Sequence, residues 1–401
     1  MKAVFNIWNN ITNEVMKHQD GDTGILKNSI YSNMYYLRET AFAVKIFIVN
    51  YIITKNEEFL DRARLASKVI ITHLKNNIEF DEPVWHPRGI KFNKGSLPGT
   101  VMVYEALFEG LNLLEKNKKT FIEFNRRELA EYIQACYFGK GTFSHDRIVK
   151  GRKFAQVINT SAMALYLMSK IASIDGNNEV YCETINKETL EQINNSQRQD
   201  GFWPYTFPEK SHKILWKIHT YLPLKLRNLI EKLFLKLFQD RSIFFGDGVH
   251  HCLTLIYLLK YYSLVNSDSI DVDLINKGWR FIKNKLILLD DNGIKFDFTW
   301  EPKPAYPRIC NFIDTTTYFV IFDILHYMNS LGIVDGDTYR YVSLGIAKYI
   351  TSNLLDYDHI PVIKPYDGPE SIIENIFPRL TESVVHKGFL MSNLILDAQK
   401  W

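Results

Sequence analysis

Apolar residues recur at helical spacing along almost the whole chain, and stretches of strict alternation are few. Two kinds of helix are predicted. One kind is apolar on every side: about 31–53 (with Arg38 and Glu39 embedded), 98–115, 155–173, 247–264, 311–331 and 380–399. The other kind carries charge along one stripe: about 2–18, 56–76, 120–137, 177–196, 271–288 and 337–355. Loops rich in Gly, Pro and aromatics follow the second kind and precede the first.

The apolar helices are expected to start roughly sixty to seventy residues apart, with one longer interval, and such a period indicates arrays or closed rings. A helix apolar all round must be covered all round, whereas an amphipathic one needs cover along one stripe. Two concentric rings satisfy both demands. The predicted fold is all-α, a single (α/α)6 toroid spanning 1–401, with the N-terminal helix closing the outer ring and a helical insertion at about 206–244. The long loops then fall where the inner helices begin. Six positive helix ends converge on one mouth, which favours carboxylates or phosphates. Trp85, Arg88, His145, Trp203, Tyr205 and Trp300 are expected on its rim.

Composition narrows the chemistry. Four scattered cysteines give no disulfide framework. His250, His251, Cys252 and Cys310 have the right atoms for zinc but not the spacing, so no metal is expected. Nucleotide fingerprints, phosphate loops and a serine elbow are absent, so no cofactor is expected. A net charge of +3 does not imply nucleic acid. No apolar run reaches about 18 residues and the N-terminus is polar, so the expected location is cytoplasmic. An aromatic content of 14% suits a sugar cleft.

Three motifs stand in order: Asn159-Thr160-Ser161-Ala162, then Gln197-Arg198-Gln199-Asp200-Gly201-Phe202-Trp203-Pro204-Tyr205, then Asp247-Gly248-Val249-His250. Over about 155–264 they resemble bacterial α/α toroids of polysaccharide gene clusters, related to glucuronyl epimerases and heparinase-type lyases. Phe202 replaces the small residue usual there, and the stretch from Tyr205 to Phe245 is longer than the pattern. The second motif also resembles the repeat of squalene–hopene-type cyclases. That resemblance implies a structural role, with Gln capping helix ends and Trp packed between hairpins. Of the cyclase acid motif, only Asp314 is retained.

Each candidate has a bland alternative. Asp200-Gly201 reads as a turn. Trp203 and Tyr205 are either rim packing or a sugar platform, with the Tyr205 hydroxyl as a proton donor. Asn159 is a helix cap or, by the resemblance, a substrate contact. Asp247 and Asp314 are N-caps or carboxylate catalysts. His250 lies one turn after Asp247, an arrangement that would orient an imidazole base; His251 points about 100° away. Glu382 and His386 share a face of the last helix. Arg38 either pairs with Glu382 across the ring or clamps a substrate carboxylate.

The insertion includes a basic amphipathic helix, so 213–238 is either a lid or a peripheral contact with the inner membrane surface. The expected function is modification of a glycan or uronate polysaccharide by epimerisation, elimination or hydrolysis. Proton abstraction would use His250, Tyr205, Arg38 and Glu382. Hydrolysis would need two carboxylates about 5–10 Å apart, drawn from Asp247, Asp314 and Glu382. Trp85, Arg88, Trp300, His251 and His386 complete the expected substrate contacts. The alternatives are a prenyl or terpene cyclase and a non-catalytic glycan-binding scaffold; the lumen's chemistry separates the three.

Overall fold

A computed structural model describes residues 1–27, 35–86, 89–114, 126–147, 156–175, 180–204, 248–265, 270–291, 293–296, 312–314, 316–354, 363–365 and 381–401, with 207, 223 and 226. Apart from those last three positions, the insertion at 206–244 lies outside the described residues. Twelve α-helices are found among those described: α1 (Lys2–His18), α2 (Leu37–Thr54), α3 (Glu57–Leu74), α4 (Leu97–Leu114), α5 (Arg126–Ala135), α6 (Ile158–Asp175), α7 (Val180–Ser196), α8 (Gly248–Tyr262), α9 (Val272–Phe281), α10 (Thr316–Ser330), α11 (Gly336–Tyr349) and α12 (Thr381–Ala398). None of them is long and apolar enough to cross a membrane.

The apolar helices form the inner ring. α2 packs on α4, α4 on α6, α6 on α8, α8 on α10, α10 on α12, and α12 returns to α2. From Ala41 to Val49 every residue of α2 is buried, as a helix covered on all sides requires. The amphipathic helices stand outside. α1 closes the outer ring against α12 and α11. There Trp8 Nε1 donates to Asn50 Oδ1 at 2.9 Å, and Gly388 leaves room for Ile11 and Ile46. The architecture is the (α/α)6 toroid.

The connections into the inner helices are not plain loops. β3 (Phe80–His86) pairs with β4 (Gly89–Ser96), β5 (Tyr137–Gly139) with β6 (Thr142–Phe143), and β7 (Ile287–Asp290) with β8 (Gly293–Phe296), all antiparallel. Strands β1 (Leu26–Lys27) and β2 (Tyr35–Tyr36) pair ahead of α2, and β9 (Phe312–Asp314) pairs with β10 (Ile363–Pro365). A chain crossing the top of the ring must pair its own backbone, and short hairpins do so. The fifth inner helix therefore begins at Thr316, later than the pattern suggested, and Asp314 belongs to a strand.

One device recurs in these connections. Gly201 has φ +94° and lies directly on the backbone of Lys277 in α9, where a Cβ would collide. Gly141, at φ +73°, meets the backbone of Glu188 in α7 in the same way. Two residues after each comes a buried aromatic, Trp203 or Phe143. Its backbone N–H is then held by the fourth residue of the next inner helix. Phe143 N donates to Ser161 Oγ at 3.0 Å and Trp203 N to His251 Nδ1 at 3.2 Å. The same fourth-residue bond ties Leu26 to Thr40 and Phe80 to Thr100, both at 3.0 Å. Glutamines brace it: Gln197 Nε2 donates to Gly201 O and Leu274 O, and Gln19 Nε2 to Gly24 O and Arg62 O, all at 3.1 Å.

Candidate active site

This repeat fixes which helix face looks inward. The fourth residue of an inner helix points out toward its loop. Two residues earlier, the side chain is rotated by about 200°, toward the lumen. Second positions are Arg38 on α2, Asn159 on α6 and Glu382 on α12. On α10, whose inward face is set by Asp323 and Tyr327, the matching residue is Thr316. The matching residues of α4 and α8 are Pro98 and Val249, so four of the six inner helices carry a polar residue at this position.

Arg38 is buried and is gripped by its neighbour. Its Nε donates to Glu39 Oε1 at 2.8 Å and a terminal nitrogen lies 2.7 Å from the same oxygen. Glu39 is thus one partner of Arg38, one residue along the same helix; the Glu382 side chain, the partner expected across the ring, lies outside the described residues. Glu39 Oε2 is buried with no hydrogen-bond partner, and so is Asn159 Oδ1. Asn159 is 5% exposed. Beside it, Thr160 Oγ1 lies 3.3 Å from Nε2 of His145, a half-buried residue whose carbonyl accepts the Leu97 N–H at 2.6 Å. His145 thereby bridges the starts of α4 and α6.

One turn deeper the same faces carry Phe42, Met102, Met163, Leu253 and Val320, none more than 9% exposed, so apolar side chains fill the ring there. His386 is the exception. Its ring stacks on Phe42 (centroids 5.1 Å apart, planes at 15°), and the Arg38 guanidinium lies 5.8 Å from the same Phe42 ring. Burial, then the positive charges of Arg38, Lys260 and Lys387, push the imidazole down to about 3, so it is neutral near pH 7.

Two turns below the mouth, all six inner helices build a floor. Glu105 on α4 bonds Lys260 on α8 and accepts from the Tyr257 hydroxyl at 2.6 Å. Lys260 also reaches Asp323 on α10 at 2.7 Å, and Asn393 on α12 donates to Asp323 at 2.9 Å. Lys45 on α2 pairs with Glu109, which also accepts from Tyr327 at 3.1 Å. Tyr166 of α6 packs on Tyr257. Burial pushes Glu105 up to about 7 against the pull of Lys260. Burial would raise Glu109 too, but Lys45 and Lys260 outweigh it and bring it to about 2. From Arg38 to Lys45 on α2, from Asn159 to Tyr166 on α6 and from Thr316 to Asp323 on α10 is seven residues, a rise of about 10 Å.

Two expected substrate contacts become packing residues. Trp203 is 1% exposed; its indole N–H donates to Ile193 O at 3.0 Å, and its ring lies where a side chain on Gly278 would stand. His251 is fully buried, with Nδ1 accepting from Trp203 and Nε2 3.1 Å from Gly278 O. Neither can stack on or bond a sugar. Asp200 caps its own turn, accepting from Phe202 N at 3.3 Å. His250 is half-buried on the first turn of α8. Trp85 is placed by backbone alone, opposite Ile90 in the β3–β4 hairpin. Tyr205, Asp247, Arg88 and Trp300 lie outside the described residues. Among those described, no group of three His, Cys, Asp or Glu side chains converges as metal ligands would.

Sequence reasoning passed over the floor entirely. Its signal was present: Lys45, Glu105, Glu109, Lys260 and Asp323 are charges on otherwise apolar helices, and such residues are rarely buried without partners.

No family model and no curated protein matches the chain. Solved structures do. The unsaturated glucuronyl hydrolase of Bacillus sp. GL1 superposes with a TM-score of 0.64 at 10% identity, over 99% of this chain and 96% of that one. An inactive variant of the α-1,6-mannanase of Salegentibacter sp. HEL1_6, in complex with α-1,6-mannotriose, gives 0.60 at 9% identity, over 97% and 98%. A polysaccharide lyase gives 0.55 at 13%, over 100% and 99%. At such identities the likeness is one of fold.

Proposed function

We propose that this protein is a polysaccharide-processing enzyme that takes the uronate-bearing part of a glycan into the mouth of the toroid. The observation that carries this reading is the set of buried polar side chains on inner-helix first turns, Arg38, Glu39 and Asn159, above a network of buried charges on the same ring. The ring offers the buried Arg38 for a carboxylate, and acceptor oxygens on Asn159 and Glu39 for sugar hydroxyls. The toroids similar to this one in fold are a glucuronyl hydrolase, a mannanase and a polysaccharide lyase, which favours cleavage over epimerisation.

The chemistry of the ring supports two routes. His250, on the first turn of α8, could take the proton next to a uronate carboxylate held by Arg38, giving elimination. Carboxylates from Asp247, Glu382 or Glu39 could serve hydrolysis. Five ionisable floor residues suit an apolar prenyl chain poorly, which weighs against a cyclase. Buried acceptors without partners cost stability in a mere scaffold, which weighs against that reading.

The test is incubation with a panel of uronate-containing oligosaccharides in deuterated water. New reducing ends with ultraviolet absorbance support elimination, and new reducing ends without it support hydrolysis. Solvent deuterium in an uncleaved sugar would move the assignment to epimerisation. No change across the panel would overturn the proposal.

A further inference from the structure

The insertion at 206–244 is where the chain's positive charge is concentrated. It holds eight of the Lys and Arg residues against three of the Asp and Glu, so it carries +5 in a chain whose total is +3, and the remainder is −2. Basic and apolar residues are interleaved there. Leu226, Leu229, Ile230, Leu233 and Leu237 recur at helical spacing within an arc of about 100°, and Lys225, Lys232 and Lys236 line up along one edge of that arc. Leu226 N donates to Pro223 O at 2.9 Å, a turn of the kind that opens a helix, with proline at its head. Leu226 is the one member of the stripe among the described residues, and at 47% exposure it is turned to solvent and not onto the toroid. Both ends of the insertion lie at the mouth: Phe207 N donates to Gln156 O at 3.2 Å, just ahead of α6, and Gly248 begins α8.

We propose that this segment docks the chain on an anionic phospholipid surface, with the Leu226 stripe turned to the acyl chains and the mouth as the end of the toroid held nearest the bilayer. An apolar stripe edged by lysines is the pattern of a helix that lies in the interface plane. Burial of the leucines drives adsorption, and each lysine adds its attraction to the anionic headgroups. Lysine stems lie along the apolar boundary while their ammonium groups stay among the phosphates. A soluble polyanionic glycan would satisfy the lysines but give the leucines nothing to bury against. An outer brace would cover Leu226 against the toroid. The remainder of the chain, at −2, has no attraction of its own for such a surface, so contact is confined to the insertion. Docking of this kind is independent of the reaction at the mouth.

The test is co-sedimentation of the full chain with phosphatidylcholine vesicles, with and without phosphatidylglycerol. Binding is expected only where phosphatidylglycerol is present, and should weaken as salt is raised. Lys225→Gln, Lys232→Gln and Lys236→Gln together should weaken it by roughly a hundredfold. Leu226→Glu with Leu229→Glu should abolish it. Thermal unfolding of both lipid-free variants is expected to match that of the native chain, because the toroid does not hold the stripe. Four results overturn the proposal. They are no binding to anionic vesicles, with or without capture of soluble polygalacturonate; equal binding to the neutral vesicles; a leucine variant that binds as the native chain does; and a leucine variant that unfolds well below it, which would make the stripe a brace packed on the toroid.

Discussion

The Tyr327 hydroxyl donates to Glu109 at 3.1 Å, from α10 to α4, the inner helix diametrically opposite. Together with the Glu105–Lys260 pair this bond spans the lumen and closes it. Taking such charges out of water is expensive, and the cost is offset only while every member keeps its partner. Lys260→Met should therefore strand Glu105 and Asp323 and destabilise the fold by about 3–5 kcal/mol. Denaturant unfolding measures this directly; a loss below about 1 kcal/mol would mean that water reaches the floor.

The same floor makes stability depend on pH in a stated direction. Glu105 is pushed up to about 7 in the folded chain from an ordinary value near 4.5, first by burial. The folded state thus binds the extra proton, so this group's contribution is full below about pH 4.5 and is lost as pH rises through about 7. The stability difference between the native chain and Glu105→Gln should shift against the native chain across that window. His386 acts with the opposite sign. Its value is lowered to about 3, so stability is lost as pH falls from about 6.5 toward 3. Unfolding series for Glu105→Gln and His386→Gln from pH 4 to 8 separate the two; parallel curves for all three proteins would contradict both assignments.

Trp203 and His251 should behave as packing residues. Truncating a fully buried indole in a site that cannot collapse costs about 3–5 kcal/mol. Trp203→Ala is expected to lower stability by that much while leaving the affinity of the folded fraction for glycans within about twofold, on the ground that the ring bonds Ile193 and packs on Gly278. A large loss of affinity with intact stability would return Trp203 to the substrate. Gly201→Ala tests the turn itself. Its φ of +94° and the Lys277 backbone beneath it leave no place for a methyl group, so a loss of at least about 1 kcal/mol is expected.

The ring was legible in the sequence because each inner helix must be apolar all round, and that signal survives without knowledge of any contact. The Gln197–Tyr205 motif was legible too, but as a conspicuous stretch and not as one instance of a repeat. Aligning the helix starts would have shown that His251 holds the place of Thr40, Thr100 and Ser161, and that all four tie down a loop. Three kinds of side chain, Thr, Ser and His, share one task there, accepting an N–H, so residue identity hides the equivalence. The floor was missed for another reason. Glu105 finds Lys260 155 positions away, and no local pattern encodes such a pairing. Asp314 ends a short strand two residues before the helix at Thr316, and an Asp just ahead of an apolar run reads as a helix cap in sequence.

Asn159 offers the sharpest separation of binding from folding. Its Oδ1 is buried without a partner, and a buried acceptor left unsatisfied costs about 1–3 kcal/mol. A residue kept for packing would not carry that cost. Asn159→Ala removes the orphan together with a small amount of buried area, so stability should stay level or rise by about 1 kcal/mol. The same change removes an acceptor from the mouth, and glycan affinity should fall by about tenfold, the equivalent of one hydrogen bond. Thermal unfolding and a binding titration on the one variant measure both. If stability drops by more than about 2 kcal/mol while affinity is unchanged, Asn159 holds α6 in place and the mouth must recognise its ligand without it.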